Sequence, residues 1–376
     1  MRDAHDTAEV FIVAPGAAGD YGGIGRLAAA TARYWRAAGM QPPLRVLDPY
    51  GARLSPLTAR DFARALALIA WNARRRRIAL LHVHMAARGS AVRKGIITRM
   101  GARLGVPVLL HMHGSRLDEF HAQLPQWGRR MLRRTLESAD RIIAPGTHWR
   151  DVLVDTVGVD ASLVRVIANA AAGPSHVEPR PARPLCELVF LGKLSPRKGL
   201  PELLGALAQP DVALLPWRLR VAGDGDAGPY VEQATALGIA ARVDFVGWVP
   251  EGRVRDMLAA ADVFVLPSHN EGLSIGMLEA MAHGCAIVAT PVGATLDAVR
   301  DGESALLVPA GDVPALAGAL RRVIADPALR AALQAAARKR WSDGFDIADH
   351  CRQLAALYRE LGEPSLPRRS AGVRYR

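Results

Sequence analysis

The stretch from residue 262 to 295 constrains this chain more than any other. An apolar run at 262–266 is closed by Pro267, a loop follows, and a helical run then ends at His283 and Gly284 before a second apolar run at 285–289. Short apolar runs bounded by proline and glycine read as buried strands, so the order strand, helix, strand is one βαβ unit. Such a unit commits the chain to a parallel sheet covered by helices, where ligands bind outside the carboxyl ends of the strands. The loops 268–272 and 291–295 belong to that edge and are expected to face one crevice.

The first of these loops carries Glu271. After it come the backbone amides of Gly272, Leu273 and Ser274 at a helix N-terminus, where orphan N–H groups and the helix dipole favour phosphate or another anion. Glu279 follows eight residues after Glu271. If that interval is helical, about two turns separate the carboxylates and both lie near one face. Two carboxylates beside an anion site suit an elongated polar ligand that also carries phosphate, such as a nucleotide sugar. The plainer reading, two solvated glutamates, fits poorly with their place at the ends of an apolar, glycine-rich segment.

The set Glu271-Gly272-Leu273, Glu279, Ala280-Met281-Ala282-His283-Gly284 and Pro291-Val292-Gly293 resembles the C-terminal signature of the family-4 retaining glycosyltransferases. The resemblance implies an α/β fold of the GT-B kind, two Rossmann-like, doubly wound parallel-sheet domains facing a central cleft. It also implies a nucleotide-diphosphate sugar as donor, held mainly by the second domain, with the acceptor received by the first.

From the amino end, 9–14 reads as a strand, 15–25 as a glycine-rich loop, and 24–38 as a helix stopped by Gly39. Gly22, Gly23 and Gly25 let backbone approach a ligand with no Cβ in the way. Their spacing is not the dinucleotide fingerprint, and a glycine loop alone is weak evidence. Family-4 enzymes carry a similar loop close to the donor diphosphate. Further strands are expected at 44–47, 79–83, 106–111, 141–144 and 164–167, alternating with helices, which argues for a doubly wound parallel sheet.

His82 and His84 close one of these strands, and His111 and His113 close or follow another. Two His-x-His pairs raise the question of a metal, since alternate strand residues point the same way and imidazole binds zinc. No carboxylate or cysteine accompanies them, so no metal site is expected. The resemblance selects His113 as the residue beside the reactive carbon of the donor sugar and leaves the other three to packing or strand-edge hydrogen bonding.

The proline-rich run 173–184 reads as a linker. This gives an N-terminal acceptor domain at 1–172, a nucleotide-sugar domain at 185–345, a helix at 346–361 that the GT-B resemblance returns to the first domain, and a basic tail at 362–376. After the strand at 187–191 comes Gly192-Lys193-Leu194-Ser195-Pro196-Arg197-Lys198-Gly199, two lysines beside glycine on a carboxyl edge and placed to meet a diphosphate. The family usually has arginine where Lys193 stands, so a point charge replaces a bidentate fork. Strands at 217–222, with Gly223-Asp224-Gly225, and at 243–246, with Gly247-Trp248-Val249-Pro250, also match the family. By the resemblance, Lys193 and Lys198 hold the diphosphate, Glu279 the ribose hydroxyls and Glu271 the donor sugar, with Gly225, Gly272, Leu273 and Ser274 lining the donor site. Lys198, Glu271 and His113 form the catalytic set, and neither a metal nor another cofactor is called for.

With 376 residues, half of them hydrophobic, the chain has room for two globular domains. No window reaches the ~18 apolar residues of a membrane span, and the amino end lacks the features of a signal peptide. The three cysteines lack paired spacing and read as reduced core thiols. Fourteen Arg or Lys against Asp118 and Glu119 fall between Arg74 and Arg134, equal to the whole net charge of +12. Arg129, Arg130, Arg133 and Arg134 form one cationic helix face with Trp127, Met131, Leu132 and Leu136 beside it, which taken alone reads equally as a membrane-surface helix or as a plainly solvated one. Base-stacking aromatics are not interleaved along this region, so an anionic membrane surface and a glycan or lipid-phosphate acceptor fit it better than nucleic acid. The expected protein is cytoplasmic, peripheral to the inner face of the membrane and active in bacterial surface polysaccharide assembly. The competing readings are a catalytically inactive binding protein on the same fold and a glycoside hydrolase using Glu271 and Glu279.

Overall fold

The computed structural model describes residues 8–15, 22–49, 57–113, 115–178, 180 and 183–362. The chain divides into two compact units, residues 1–169 with 347–376, and residues 170–346. Each is an α/β unit built on a six-stranded parallel sheet.

In the first unit the strands are β1 (Glu9–Val13), β2 (Leu44–Leu47), β3 (Ile78–Met85), β4 (Val108–Met112), β5 (Arg141–Ala144) and β6 (Val164–Val166), in the spatial order β2-β1-β3-β4-β5-β6. The chain winds outward from β1 to β2, then restarts at β3 and winds the other way. The carboxyl ends of β1 and β3 therefore flank the point where strand order reverses, the place where such sheets open for ligands. Strands β3 and β4 are buried along almost their whole length, as a parallel sheet covered on both faces requires. Helix Ile347–Gly362 belongs to this unit and buries His350, Cys351, Leu354, Leu357, Tyr358 and Leu361. One of its partners is Trp35 of helix Gly22–Ala37, whose ring lies 5.4 Å from that of Tyr358.

The second unit holds β7 (Cys186–Leu191), β8 (Trp217–Ala222), β9 (Val243–Gly247), β10 (Val263–Leu266), β11 (Ala286–Ala289) and β12 (Leu306–Leu307), ordered β12-β11-β10-β7-β8-β9. Here the winding reverses between β7 and β10, so the loops that follow those two strands share the switch point. All four residues of β10 and of β11 are buried.

Two sequence expectations change. The proline-rich run at 173–184, of which 179, 181 and 182 lie outside the described residues, is docked on the second unit. Arg180 donates to the carbonyls of Gly284 (2.8 Å) and His283 (2.9 Å), Arg338 donates to Pro174 O (2.6 Å), and a Cβ at Gly173 would meet Ala282 Cβ at 2.7 Å. Proline content marks a segment that cannot pair in a sheet, and arginine bonds hold this one down. The division between units falls earlier, after Asn169. The second concerns only the end of the terminal helix, which runs through Gly362; the rest of the expected tail, 363–376, lies outside the described residues.

Candidate active site

The loop after β7 turns through a 3-10 helix, Pro196–Lys198, into Gly199 with φ +73°. Glycine is required there twice over. The left-handed conformation strains any other residue, and a Cβ would lie 2.0 Å from Pro267 O. That close approach brings the loop against the segment after β10. His269 N donates to Arg197 O (2.9 Å) and the Arg197 guanidinium to Asn270 O (2.6 Å). Lys198 Nζ then donates to Glu271 Oε1 at 2.5 Å, and Ser268 Oγ donates to the same oxygen at 2.7 Å. The side chains of Lys198 and Glu271 are 13% and 9% exposed, so a charge pair sits nearly dry at the switch point.

The loop after β11 closes on the same place. Ala294 N donates to Gly272 O (2.8 Å), and at Gly293, with φ +58°, a Cβ would meet Glu271 O at 1.9 Å. The two loops expected to share an edge are thus in contact. Glycine at 293 is what permits it.

The expected helical relation between the two glutamates does not hold. The helix is Ile275–Ala282, capped by Ser274, whose Oγ accepts from Met277 N at 3.3 Å. Glu271 precedes it in extended loop, so it is the packing of three loops, and not 3.6-residue periodicity, that places its carboxylate. Glu279 is on the helix and half-buried. Gly272, Leu273 and Ser274 lead into the helix N-terminus, as expected from the sequence. Gly225, with φ +129°, abuts the carbonyl of Leu194, where a Cβ would lie at 2.8 Å. Lys193 is exposed.

In the first unit, Gly22, Gly23 and Gly25 open helix Gly22–Ala37 behind β1, while 16–21 of the glycine loop lie outside the described residues. His113 follows β4 and is half-buried; its backbone N–H donates to Met85 O at 2.8 Å. Its neighbour Gly114 also lies outside the described residues.

The other three histidines are not scattered along strand edges. Register sets His84 directly opposite His111, and strand alternation keeps His82, His84, His111 and His113 on one face. The result is a stack, with ring centroids 4.6 Å apart for His82–His84, 4.8 Å for His84–His111, 4.9 Å for His84–His113 and 4.2 Å for His111–His113. His350 joins from the terminal helix, 6.0 Å from His111, with Nδ1 bonded to Ala168 O. Tyr358 Oη lies 2.7 Å from His82 Nδ1, and His84 Nδ1 lies 2.8 Å from His113 Nε2. Burial, reinforced by like-charge neighbours, holds the imidazoles well below their ordinary pKa, His113 at about 3 and His350 at about 4. They are neutral at physiological pH.

Lys94 is a further correction. Counted with the basic region, it is fully buried on helix Gly89–Arg103 and donates from Nζ to Val13 O at 3.2 Å. Burial lowers its pKa to about 7 against the opposing pull of Asp48. Leu132 and Leu136 are likewise core residues and do not join the cationic face of helix Gln126–Leu136. Sequence reading also passed over His350, Tyr358 and Ser268. The one available signal was the expected return of the last helix to the first domain.

Two doubly wound parallel sheets, the second with its lysine and glutamate loops joined at the switch point, have the GT-B architecture. The chain belongs to the glycosyltransferases of group 1: residues 4–170 match the glycosyl transferase 4-like domain and residues 186–326 the domain described as glycosyl transferases group 1. It is 31% identical over 261 residues to the D-inositol 3-phosphate glycosyltransferase of Acidothermus cellulolyticus, a match that covers 61% of this chain and 57% of that relative. It is 39% identical over 148 residues to the lipopolysaccharide core biosynthesis glycosyltransferase LpsE of Rhizobium meliloti, covering 39% of this chain and 42% of the other. Among solved structures, Anabaena HepE in complex with UDP and glucose superposes with a TM-score of 0.75 at 20% identity, over 94% of this chain and all of that one.

Proposed function

We propose that this protein is a retaining hexosyltransferase that moves a hexose from a nucleotide-diphosphate sugar to a lipid-linked or other glycan acceptor in bacterial surface polysaccharide assembly. The observation that carries the donor half is the nearly dry Lys198–Glu271 pair at the switch point, next to the N-terminus of the helix that bears Glu279. A diphosphate leaving group needs cations preorganised where its charge grows, and Lys198, Lys193 and orphan backbone amides supply them without a metal. Glu279 takes the ribose hydroxyls and Glu271 the hydroxyls of the transferred sugar. His113, neutral and bonded to His84, contacts the sugar near its anomeric carbon. Retention then follows from a same-face displacement in which the leaving phosphate takes the acceptor proton, with no protein nucleophile. HepE was solved with UDP and glucose, which supports a nucleotide-sugar donor.

The acceptor half rests on the basic helices of the first unit. Arg129, Arg130, Arg133 and Arg134 are all exposed, as are Trp127 and Met131 on the same helix, Val92 and Ile96 on helix Gly89–Arg103, and Trp71 on helix Leu57–Arg74. Apolar side chains standing out among arginines suit the interface of an anionic bilayer, where cations meet head groups and tryptophan enters the acyl boundary. Among the described residues no helix is long and apolar enough to cross a membrane. The kinship with LpsE supports a surface-glycan acceptor. A glycoside hydrolase fits less well, because Oε1 of Glu271 already accepts from both Lys198 and Ser268.

Incubation with a panel of radiolabelled nucleotide sugars, first with water and then with lipid extract as acceptor, tests the whole reading. Label is expected to pass into lipid-linked glycan from one nucleotide sugar. Release of free sugar from a glycoside with no nucleotide present would establish the hydrolase instead.

A further inference from the structure

The buried histidine stack contains more ligand capacity than its hydrogen bonds use. One ring nitrogen each from His82, His84 and His111 lies within 4.8 Å of the others, and all three residues are buried. His84, 3% exposed, sits at the centre of the stack with Nδ1 taken by His113, and among the described residues its Nε2 has no hydrogen-bond partner. His111, fully buried, likewise has Nε2 without a partner. Leaving a polar nitrogen unpaired in the core costs roughly 1–3 kcal/mol, so the open Nε2 of His84 calls for an occupant.

We infer that His82, His84 and His111 bind a divalent transition ion of the zinc type. His82 Nε2 and His111 Nδ1 are hydrogen-bonded at 3.2 Å, a separation close to the ~3.3 Å edge of a tetrahedron with metal–nitrogen bonds of about 2.0–2.1 Å, so an ion between them would replace that bond. His84, whose Nε2 is open, offers the third ligand atom, within 4.8 Å of the other two. His82 and His84 carry the outer bonds expected around ligating histidines, whose other ring N–H is fixed by an outer partner, while Nε2 of His111 has none among the described residues. His82 Nδ1–H then donates to Tyr358 Oη and His84 Nδ1–H to His113 Nε2, which also fixes the tautomer of His113. The set contains only imidazole, which suits zinc, copper, iron or nickel over magnesium or calcium. Three protein ligands leave a fourth position for water or an anion. The site lies wholly in the first unit, makes no use of Lys198 or the diphosphate loops, and stands whether or not the chain transfers a hexose.

The test uses the untagged full chain, stripped with a chelator and then titrated with Co2+. Tetrahedral nitrogen ligation gives intense visible d–d bands, expected to saturate at one ion per chain, to vanish on adding Zn2+, and to accompany a higher unfolding temperature. His84→Gln and His111→Gln should each abolish the bands, Tyr358→Phe should weaken affinity by roughly 10–100-fold, and His176→Gln, at an exposed position elsewhere, should change nothing. Absence of bands and of any thermal shift in excess Co2+, or bands that persist in both ring-ligand variants, would overturn the site. Should those variants fail to fold, X-ray absorption on the zinc-loaded wild type decides. Three imidazole nitrogens at about 2.0–2.1 Å support the assignment, and a six-coordinate oxygen shell refutes it.

Discussion

Nζ of Lys198 lies 2.5 Å from Oε1 of Glu271, across 73 positions of sequence, and this one contact joins the loops after β7 and β10. In the absence of donor each charge satisfies the other. On the proposed donor role, a bound diphosphate would offer the lysine a stronger partner and free the carboxylate for sugar hydroxyls, so the structural clamp would double as a preassembled part of the donor site.

Lys198→Ala should lower kcat by roughly 10²–10³, the range for removing one preorganised electrostatic group. It should also destabilise the second unit by about 3–5 kcal/mol, since removing one partner strands a buried charge. Adding Glu271→Gln should restore much of the thermal stability and none of the activity. Turnover near that of the wild type would take Lys198 out of the mechanism.

The two glutamates separate by calorimetry with a nucleoside diphosphate alone. Glu279→Gln should weaken binding by roughly 1.5–3 kcal/mol, the value of a hydrogen bond to a charged group. Glu271→Ala, which releases Lys198 for phosphate, should keep nucleotide affinity while impairing use of the whole donor. Equal losses in both variants would contradict the assignments.

Stability should fall as pH drops from about 6.5 toward 4. His82, His84, His111, His113 and His350 are held neutral in the folded protein by burial. Once unfolded they protonate near pH 6.5. Below that value the unfolded chain binds more protons, and each such group contributes up to about 1.4 kcal/mol per pH unit to the loss. The contribution is complete above pH 6.5 and disappears as pH falls through the folded-state values, about 4 for His350 and about 3 for His113. Urea melts of chelator-treated protein across this range measure the slope, which His350→Gln should reduce. A flat profile would mean that the stack takes up protons without unfolding.

The protein should sediment with vesicles containing anionic lipid and be released by salt, because exposed charges are screened beyond ~8–10 Å at physiological ionic strength. Replacing Arg129, Arg130, Arg133 and Arg134 by glutamine should weaken sedimentation and leave donor binding unchanged. Since Arg129 is tethered to the carbonyls of Ala122 and Leu124 and Arg133 to Glu137, Arg130→Gln with Arg134→Gln should account for most of the loss. Efficient transfer to a soluble sugar without any vesicle binding would remove the membrane from the reading.

Chelation should leave hexose transfer and nucleotide affinity intact while lowering the unfolding temperature. On the proposed reading, cations for the diphosphate come from Lys193 and Lys198, whereas an ion in the histidine stack would contribute only to the first unit's stability. Transfer abolished by EDTA and restored by one divalent ion would place the metal in the reaction.

Much of this molecule is written locally. Apolar runs of strand length alternating with helical stretches point to parallel sheets, and glycine and proline punctuation puts Lys193, Lys198, Glu271 and His113 at carboxyl edges, because the end of a strand at which a loop emerges follows from local pattern and chain direction. The motif that ties Glu271, Glu279 and Gly293 to a glycosyltransferase family is likewise contiguous. What period and spacing cannot express is which distant residues meet. Only strand register sets His84 against His111, 27 positions on, and only the packing of the terminal helix brings His350 and Tyr358 to the same stack. Only tertiary burial turns Lys94 from one more surface charge into a lysine with a pKa of about 7, and only the close approach allowed by Gly199 and Gly293 places the Glu271 carboxylate on Lys198. Local sequence fixes the side on which each residue emerges; the low-dielectric neighbourhood that sets its charge and its partners exists only once the sheets and helices have closed around it.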